Sequence, residues 1–400
     1  MRPQDLHESP NALAPHYSRF RVSERALLTG HSHQAWPDRG FAGQIEAWND
    51  AAELVDGKWE RAFAKADRVR AGFARLLGDE DADDDGDYAL AASTHELVTR
   101  FLSALPLPER PRLVTTDGEF HSIRRQLDRL DEEDRLEIVR EPAADPETLA
   151  ERLAAAVDGR TAAVLASAVL YKNARVVPGL GTVAEAVRRH GALLLVDVYH
   201  ALGAVPYSLA AEGLEDAFVV GGGYKYLQLG EGNCFLRTPP GCDLRPIYTG
   251  WYAEFEGLER APDGRVTYGG GPWRFAGSTY DPTSHYRAAE VFDFFAETGL
   301  EPPFLREVSR HQVRLLAEAF DALDLDPSVV RRDASVDLAR VGGFLVLESR
   351  RAGELCGELR RRGVMTDHRG DCLRLGPAPY LSDRQLRDAV GVLGEAVRRS

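Results

Sequence analysis

From about residue 88 onward, short apolar runs of strand length alternate with amphipathic stretches of helix length. The runs Tyr88–Ser93, Arg112–Thr116, Ala162–Ser167, Ala192–Val198 and Ala217–Gly221 are largely apolar and lack clean alternation, the pattern of strands buried on both faces of a parallel sheet. Between the later runs, Pro146–Val157 and Thr182–His190 place apolar residues three or four apart, which predicts helices covering that sheet. The order predicts a doubly wound α/β domain. After about residue 283 the pattern changes to a long helical stretch, His285–Leu323, interrupted at Glu301-Pro302-Pro303. Strand Val341–Glu348, helix Gly353–Arg362, strand Cys372–Leu375 and helix Asp383–Arg398 follow, which predicts a smaller α+β domain. The resulting division is an N-terminal arm over 1–45 packing on the small domain, a large domain over 46–283 and a small C-terminal domain over 284–400.

Composition narrows the function classes. The 49 Lys and Arg against 63 Asp and Glu give a net charge of −14, a field that repels phosphate backbones and argues against a nucleic-acid partner. No apolar run approaches the roughly 20 residues of a membrane-spanning helix, and Met1–Ala14 has no apolar core of a signal peptide, so a cytoplasmic protein without membrane contact is expected. Cys234, Cys242, Cys356 and Cys372 show neither metal-ligand spacing nor a disulfide framework, so they are expected to be small buried residues and no metal site is expected. The acidic run Asp81-Ala-Asp-Asp-Asp-Gly-Asp87 lacks a closing glutamate for calcium and reads as a solvated loop.

The chemistry concentrates at Gly221-Gly-Gly-Tyr-Lys-Tyr-Leu-Gln-Leu-Gly-Glu-Gly232, where Lys225 follows an apolar strand inside a glycine-rich turn. A lysine at the end of a buried strand is partly desolvated and easier to deprotonate, and a free amine forms Schiff bases. Alone, Lys225 reads more readily as a lysine reaching out of a loop. Earlier in the sequence, however, the apolar run Leu193-Leu-Leu-Val196 ends in Asp197-Val-Tyr-His200. A carboxylate at the C-terminal end of a parallel strand points into the crevice where open α/β sheets bind ligands. An aspartate for a pyridinium nitrogen and a Schiff-base lysine on a later strand form the pair that pyridoxal phosphate needs as an electron sink.

The sequence resembles the fold-type-I pyridoxal-phosphate enzymes of the class V aminotransferase superfamily, and within it the kynureninases. Asp197-Val-Tyr-His-Ala-Leu-Gly is similar to the family's D-x-x-H-x-x-G strand end, Tyr224-Lys-Tyr-Leu227 to its lysine motif, and Arg374-Leu-Gly-Pro-Ala-Pro to its C-terminal R-x-x-P segment. The resemblance implies that Lys225 carries the cofactor, that Asp197 holds the pyridine nitrogen, that His200 lies near the phenolic oxygen, and that Tyr224 touches the phosphate and relays a proton. Ser93 and Thr94 would cradle the phosphate at a helix start, a place where a serine or threonine also serves as an ordinary cap. Phe120, or its neighbour His121, would stack on the ring, and Ser167 would contact the cofactor. Trp251, Ser278 and Thr279 would reach the phosphate from a partner subunit, implying a homodimer. Arg374 would bind the substrate's α-carboxylate.

The likeness thins at the substrate end. The family's G-N-S-L-G turn corresponds to Gly30-His-Ser-His-Gln34, which makes His31, Ser32 and His33 the candidates for reading the substrate, and an aromatic-substrate histidine is lost near Glu53–Trp59. No cysteine lies in Asp326–Val341, where a desulfurase keeps its nucleophile. Three function classes stay open: a kynureninase-like lyase or hydrolase that cleaves a C–C or C–S bond in an amino acid's side group through a Schiff base and quinonoid, an aminotransferase, and a non-enzymatic cofactor-binding protein. The first is favoured, since a second carboxylate-binding group and a DNA-binding appendage are both missing from view.

Overall fold

The computed structural model describes residues 1–79, 87–255, 257–258 and 265–399; most of the acidic run read as a loop lies outside the described residues. In sequence order, β1 (Ala26–Leu27), α1 (Asp38–Leu54) and α2 (Lys58–Leu77) precede the central sheet. The sheet region follows as β2 (Tyr88–Ala91), α3 (Thr94–Ser103), β3 (Arg112–Thr116), α4 (His121–Asp131), β4 (Glu137–Glu141), α5 (Leu149–Ala155), β5 (Thr161–Ser167), α6 (Leu180–His190), β6 (Leu193–Asp197), α7 (Leu209–Glu212), β7 (Phe218–Gly222) and β8 (Cys234–Arg237). The C-terminal part contains α8 (Thr283–Thr298), α9 (Pro302–Asp321), β9 (Leu345–Glu348), α10 (Ala352–Arg361), β10 (Val364–Met365), β11 (Asp367–Arg369), β12 (Cys372–Leu375) and α11 (Asp383–Arg398).

Seven strands form the large sheet in the order β2-β8-β7-β6-β5-β3-β4. Strands β3 to β7 pair in parallel, while β8 runs antiparallel to both β7 and β2. The apolar runs form its centre, every residue of β5 and β7 being buried, as two-sided coverage by helices requires. Two strands escape the hydrophobic pattern. Glu137-Ile-Val-Arg-Glu141 is the half-exposed edge strand β4, and the four residues of β8 return from the glycine-rich turn. The fold is thus α/β with a large, mainly parallel sheet, as the run pattern predicts.

In the C-terminal part, the Pro302-Pro303 interruption is the first turn of α9, where a missing N–H costs nothing. The small sheet is antiparallel in the order β11-β12-β9. The N-terminal segment lies against it: β1 pairs in parallel with β10, Gly30 N donates to Gly376 O at 2.8 Å, and Asn11 Nδ2 donates to Pro379 O at 2.9 Å. Helix α1 runs through residue 45 without a break and packs on α8, where a Cβ at Gly43 would stand 2.5 Å from Tyr286 O.

Candidate active site

The C-terminal ends of β5, β6 and β7 lie at one level, with Asp197 in register with Ser167 on one side and Val220 on the other. Just beyond β7 the backbone turns tightly: Leu229 N donates to Gly223 O at 2.9 Å, and a Cβ at Gly223 would meet Leu229 Cδ1 at 2.3 Å, so only glycine fits. The turn carries Lys225 inward to 4% exposure. Its Nζ lies 3.0 Å from His200 Nε2 and 4.4, 5.1 and 5.6 Å from the ring centres of Tyr199, Phe120 and Tyr224.

Burial pushes the Lys225 ammonium down to about 7, partly opposed by the Asp197 charge. Asp197 is itself buried at the end of β6, with Oδ1 accepting from Tyr199 N at 2.8 Å; burial raises its pKa. His200 is held well below the usual imidazole value, first by burial and then by Lys225 and Arg374, so it is neutral. A near-neutral amine, a buried carboxylate and a neutral imidazole therefore meet at the sheet's crevice, ringed by aromatic faces.

Of the two stacking candidates, the structure brings Phe120 to Lys225, whereas His121 is exposed and sits 2.8 Å from Arg124 Nη2 through Nδ1. Ser93 caps α3, its Oγ accepting from Glu96 N at 3.3 Å, and Thr94 is buried beside it. Tyr224 packs on Tyr199 at 5.0 Å and is pushed up to about 12 by burial. His33 stacks on Tyr224 with ring centres 5.2 Å apart and is largely exposed, with Nε2 3.9 Å from Glu231 Oε1, and Ser32 Oγ turns back onto Thr29 O at 3.2 Å. His31 is fully buried and bonds Asp367, which also receives a fork from Arg374. Arg374 Nη1 in turn donates to Tyr171 O at 2.6 Å.

Trp251, Ser278 and Thr279 do not join this cluster within one protomer. Trp251 is 41% exposed and stacks on Phe255, while Ser278 lines a cavity of about 660 Å³ with Ala91, Ala92, Glu96 and Arg100. Lys225 is not among that cavity's lining residues. Cys234 and Cys356 are buried as expected, but Cys242 and Cys372 are half-exposed. Among the described residues, His7, His311 and Asp383 come within metal-ligand spacing, yet the two imidazoles stack at 3.6 Å and 10°, so their in-plane lone pairs cannot meet on one ion.

Two further groups at the site escape the sequence pattern. Glu119 is buried under the sheet end, bonded to Ser167 and Thr116, and burial pushes it up to about 7. Ser167 Oγ is therefore engaged with Glu119. Tyr171, in the loop after β5, sets its ring 5.3 Å from Phe120 and 6.5 Å from His200. Only its place just before Phe120 marks Glu119 in the sequence, and Tyr171 carries no local signal.

The sheet order, the lysine and carboxylate on neighbouring strand ends, and the small antiparallel sheet together define the fold-type-I fold of pyridoxal-phosphate enzymes. Solved structures share it: a C-DES mutant with glycine covalently linked to its PLP cofactor matches with a TM-score of 0.82 and 15% identity over 95% of this protein and 98% of that one. An apo cysteine desulfurase from Thermococcus onnurineus NA1 matches with a TM-score of 0.78 and 16% identity, covering 100% of this protein and 99% of that one. No protein-family model matches the sequence. In sequence it is kynureninase-like at modest identity: it is 26% identical to a kynureninase from Pseudomonas fluorescens, covering 98% of this protein and 94% of that one. It is also 22% identical to the uncharacterized aminotransferase YcbU of Bacillus subtilis (strain 168), over 86% of this protein and 88% of that one. No helix among the described residues is long and apolar enough to cross a membrane.

Proposed function

We propose that the protein binds pyridoxal 5′-phosphate on Lys225 and acts on an amino acid, as a kynureninase-like lyase or hydrolase that cleaves a C–C or C–S bond in the substrate's side group. The observation that carries this reading is the Lys225 amine, buried and shifted to about 7 beside His200, with Asp197 on the adjacent strand end. The residues fit the cofactor. Asp197 is a buried carboxylate suited to a protonated ring nitrogen, Phe120 offers a flat face near the amine, and Ser93, Thr94 and the N-terminal end of α3 suit a phosphate. When bound, pyridoxal phosphate supplies a carbonyl for Schiff-base formation and a conjugated ring that accepts electrons.

The protein's own residues then have definite tasks. Near pH 7 Lys225 Nζ holds or gives up a proton readily, which suits it to move the proton of the substrate Cα. Asp197 favours the protonated ring nitrogen. Tyr224 lies beside Lys225 with its hydroxyl protonated at neutral pH, ready to donate to a phosphate or leaving group. Arg374 receives the α-carboxylate, and the rings of Phe120 and Tyr171 limit water at the mouth.

We further propose a homodimer in which Trp251, Ser278 and Thr279 complete the partner's site, and the division into arm, large and small domains at residues 45 and 283. The likeness to YcbU supports an aminotransferase as the second reading. The deciding experiment treats purified protein with borohydride, maps the reduced adduct by peptide sequencing, and assays kynurenines, cysteine S-conjugates and common amino acids. An adduct on Lys225 with alanine release supports the kynureninase-like reading. Pyruvate with ammonia indicates β-elimination, keto-acid-dependent amine transfer indicates an aminotransferase, and a colourless protein that takes up no cofactor overturns the proposal.

A further inference from the structure

We infer that His31 is a positioning residue for Arg374: acting through Asp367, it fixes the guanidinium so that its remaining N–H groups face the α-carboxylate of an amino-acid substrate. This rests on the reading that an amino acid binds beside Lys225.

Asp367 and Arg374 are directly opposed in the β11–β12 pair. Arg374 is 2% exposed, with Nε donating to Asp367 Oδ1 at 2.8 Å and Nη2 to Oδ2 at 2.5 Å. With Nη1 on Tyr171 O, three of the five guanidinium hydrogens are used among the described residues. One hydrogen on each terminal nitrogen is left, which suits a second carboxylate. The loop tied by Nη1 is the one whose Tyr171 ring flanks Phe120 and His200, so the guanidinium is anchored beside the Lys225 site.

Within the hairpin Asp367 meets the Arg374 fork and, at 3.6 Å, Arg369 Nη1, all from β11 and β12, so these contacts leave the fork free to shift with the hairpin. His31 removes that freedom from outside the hairpin, because Nε2 lies 2.7 Å from Asp367 Oδ1 across 336 positions of sequence. The imidazole cannot move away: it is fully buried, its ring centre is 4.6 Å from that of Phe344, and a Cβ at Gly376 would stand 2.1 Å from its Nδ1. Next to a carboxylate held well below the usual range despite its burial, Nε2 must be the donor, which leaves Nδ1 as a buried lone pair without a partner. Burial pulls the His31 pKa down to about 4, so the ring donates a hydrogen bond while adding no charge that would compete with Arg374 for Asp367. A lysine or arginine there would compete.

The test uses the holoprotein and two probes, L-alanine and L-alaninamide, titrated against the visible band of the bound cofactor. His31→Met fills the volume without a donor, and His31→Gln restores an N–H at similar reach. His31→Met is expected to weaken L-alanine on the order of 10- to 100-fold, leaving L-alaninamide and the cofactor band unchanged. His31→Gln should recover most of the loss. Unchanged L-alanine affinity in His31→Met, or equal weakening of both probes, overturns the inference. Separately, long-range ¹H–¹⁵N spectra of the substrate-free protein at pH 6 should show His31 neutral with its proton on Nε2, and Asp367→Asn should shift that signal. A protonated ring, the other tautomer or an unmoved signal also overturns it, even if the variants fail to fold. A wild-type protein lacking any cofactor band would sink the proposed function, while the spectra still decide the His31–Asp367 link.

Discussion

Glu119 holds Ser167 at the end of β5 with both carboxyl oxygens, Oε2 accepting from the hydroxyl at 2.5 Å and Oε1 from the backbone N–H at 3.2 Å. Ser167 is in register with Asp197, so this buried acid supports the strand level on which the proposed cofactor aspartate sits. Burial raises the Glu119 pKa to about 7, and the sign of its contribution follows. Between about 4.5 and 7 the folded state keeps a proton that the unfolded state has lost, so stability from this group is greatest below pH 4.5 and falls as pH rises to 7, by on the order of 3 kcal/mol. Glu119→Gln should remove that slope, seen as a wild-type-minus-variant difference in urea unfolding that changes between pH 5 and 8. A pH-independent difference would mean that Glu119 is ionised throughout.

Lys225 gives a second pH signature. With its pKa near 7, reductive trapping of pyridoxal phosphate on cofactor-free protein should climb through pH 6–8 and level off, whereas an ordinary lysine would keep gaining up to pH 10. The sign is that of a buried base: its proton is lost early as pH rises, so the nucleophile is already present at neutrality. Lys225→Ala should abolish trapping at every pH. Mass spectrometry of the reduced adduct reads both outcomes.

Much of this site is legible in the sequence because the strands that carry it are buried on both faces. The apolar runs ending in Asp197 and preceding Lys225 need no tertiary knowledge to be seen as strand ends, and the glycines mark the turn. Glu119 is different. In Asp117-Gly-Glu119 it reads as part of a solvated turn, and only the arrival of Ser167 from another strand buries it. The helix α1 is a harder case: it buries Gly40, Gly43, Ala47 and Asp50 against its neighbours and exposes Phe41, Ile45 and Trp48, so these large apolar residues point away from the core of the protomer. Asp367 is hidden in the sequence because its meaning lies in two partners, one across a hairpin and one in the arm.

That outward-facing stripe supports the proposed dimer. Trp48 on α1 is 77% exposed, and Ile247 and Tyr248, in the segment after β8, are 80% and 62% exposed, which makes these side chains the ones a partner subunit would cover. Trp48→Glu and Ile247→Glu are expected to shift sedimentation from dimer to monomer, and single exposed substitutions should alter the fold of each protomer little. Mixed Lys225→Ala and Trp251→Ala/Thr279→Ala subunits should regain part of the activity through hybrid dimers. No recovery after verified subunit exchange would place each site within one protomer.

Arg374 separates substrate binding from cofactor binding. Replacing it by alanine removes a charge-assisted pair, so kcat/KM should fall on the order of 30- to 1,000-fold while the cofactor band stays unchanged. Asp367 keeps the His31 bond in that variant, so its carboxylate is not left without a partner. Arg374→Lys should rescue little, because an ammonium cannot span both Asp367 oxygens and still face a second carboxylate. Loss of the cofactor band would make Arg374 structural. Full activity would move the carboxylate site to Arg369 on β11, whose side chain is 40% exposed and whose Nη1 lies 3.6 Å from Asp367 Oδ2. Arg369→Ala would then produce the loss expected here of Arg374.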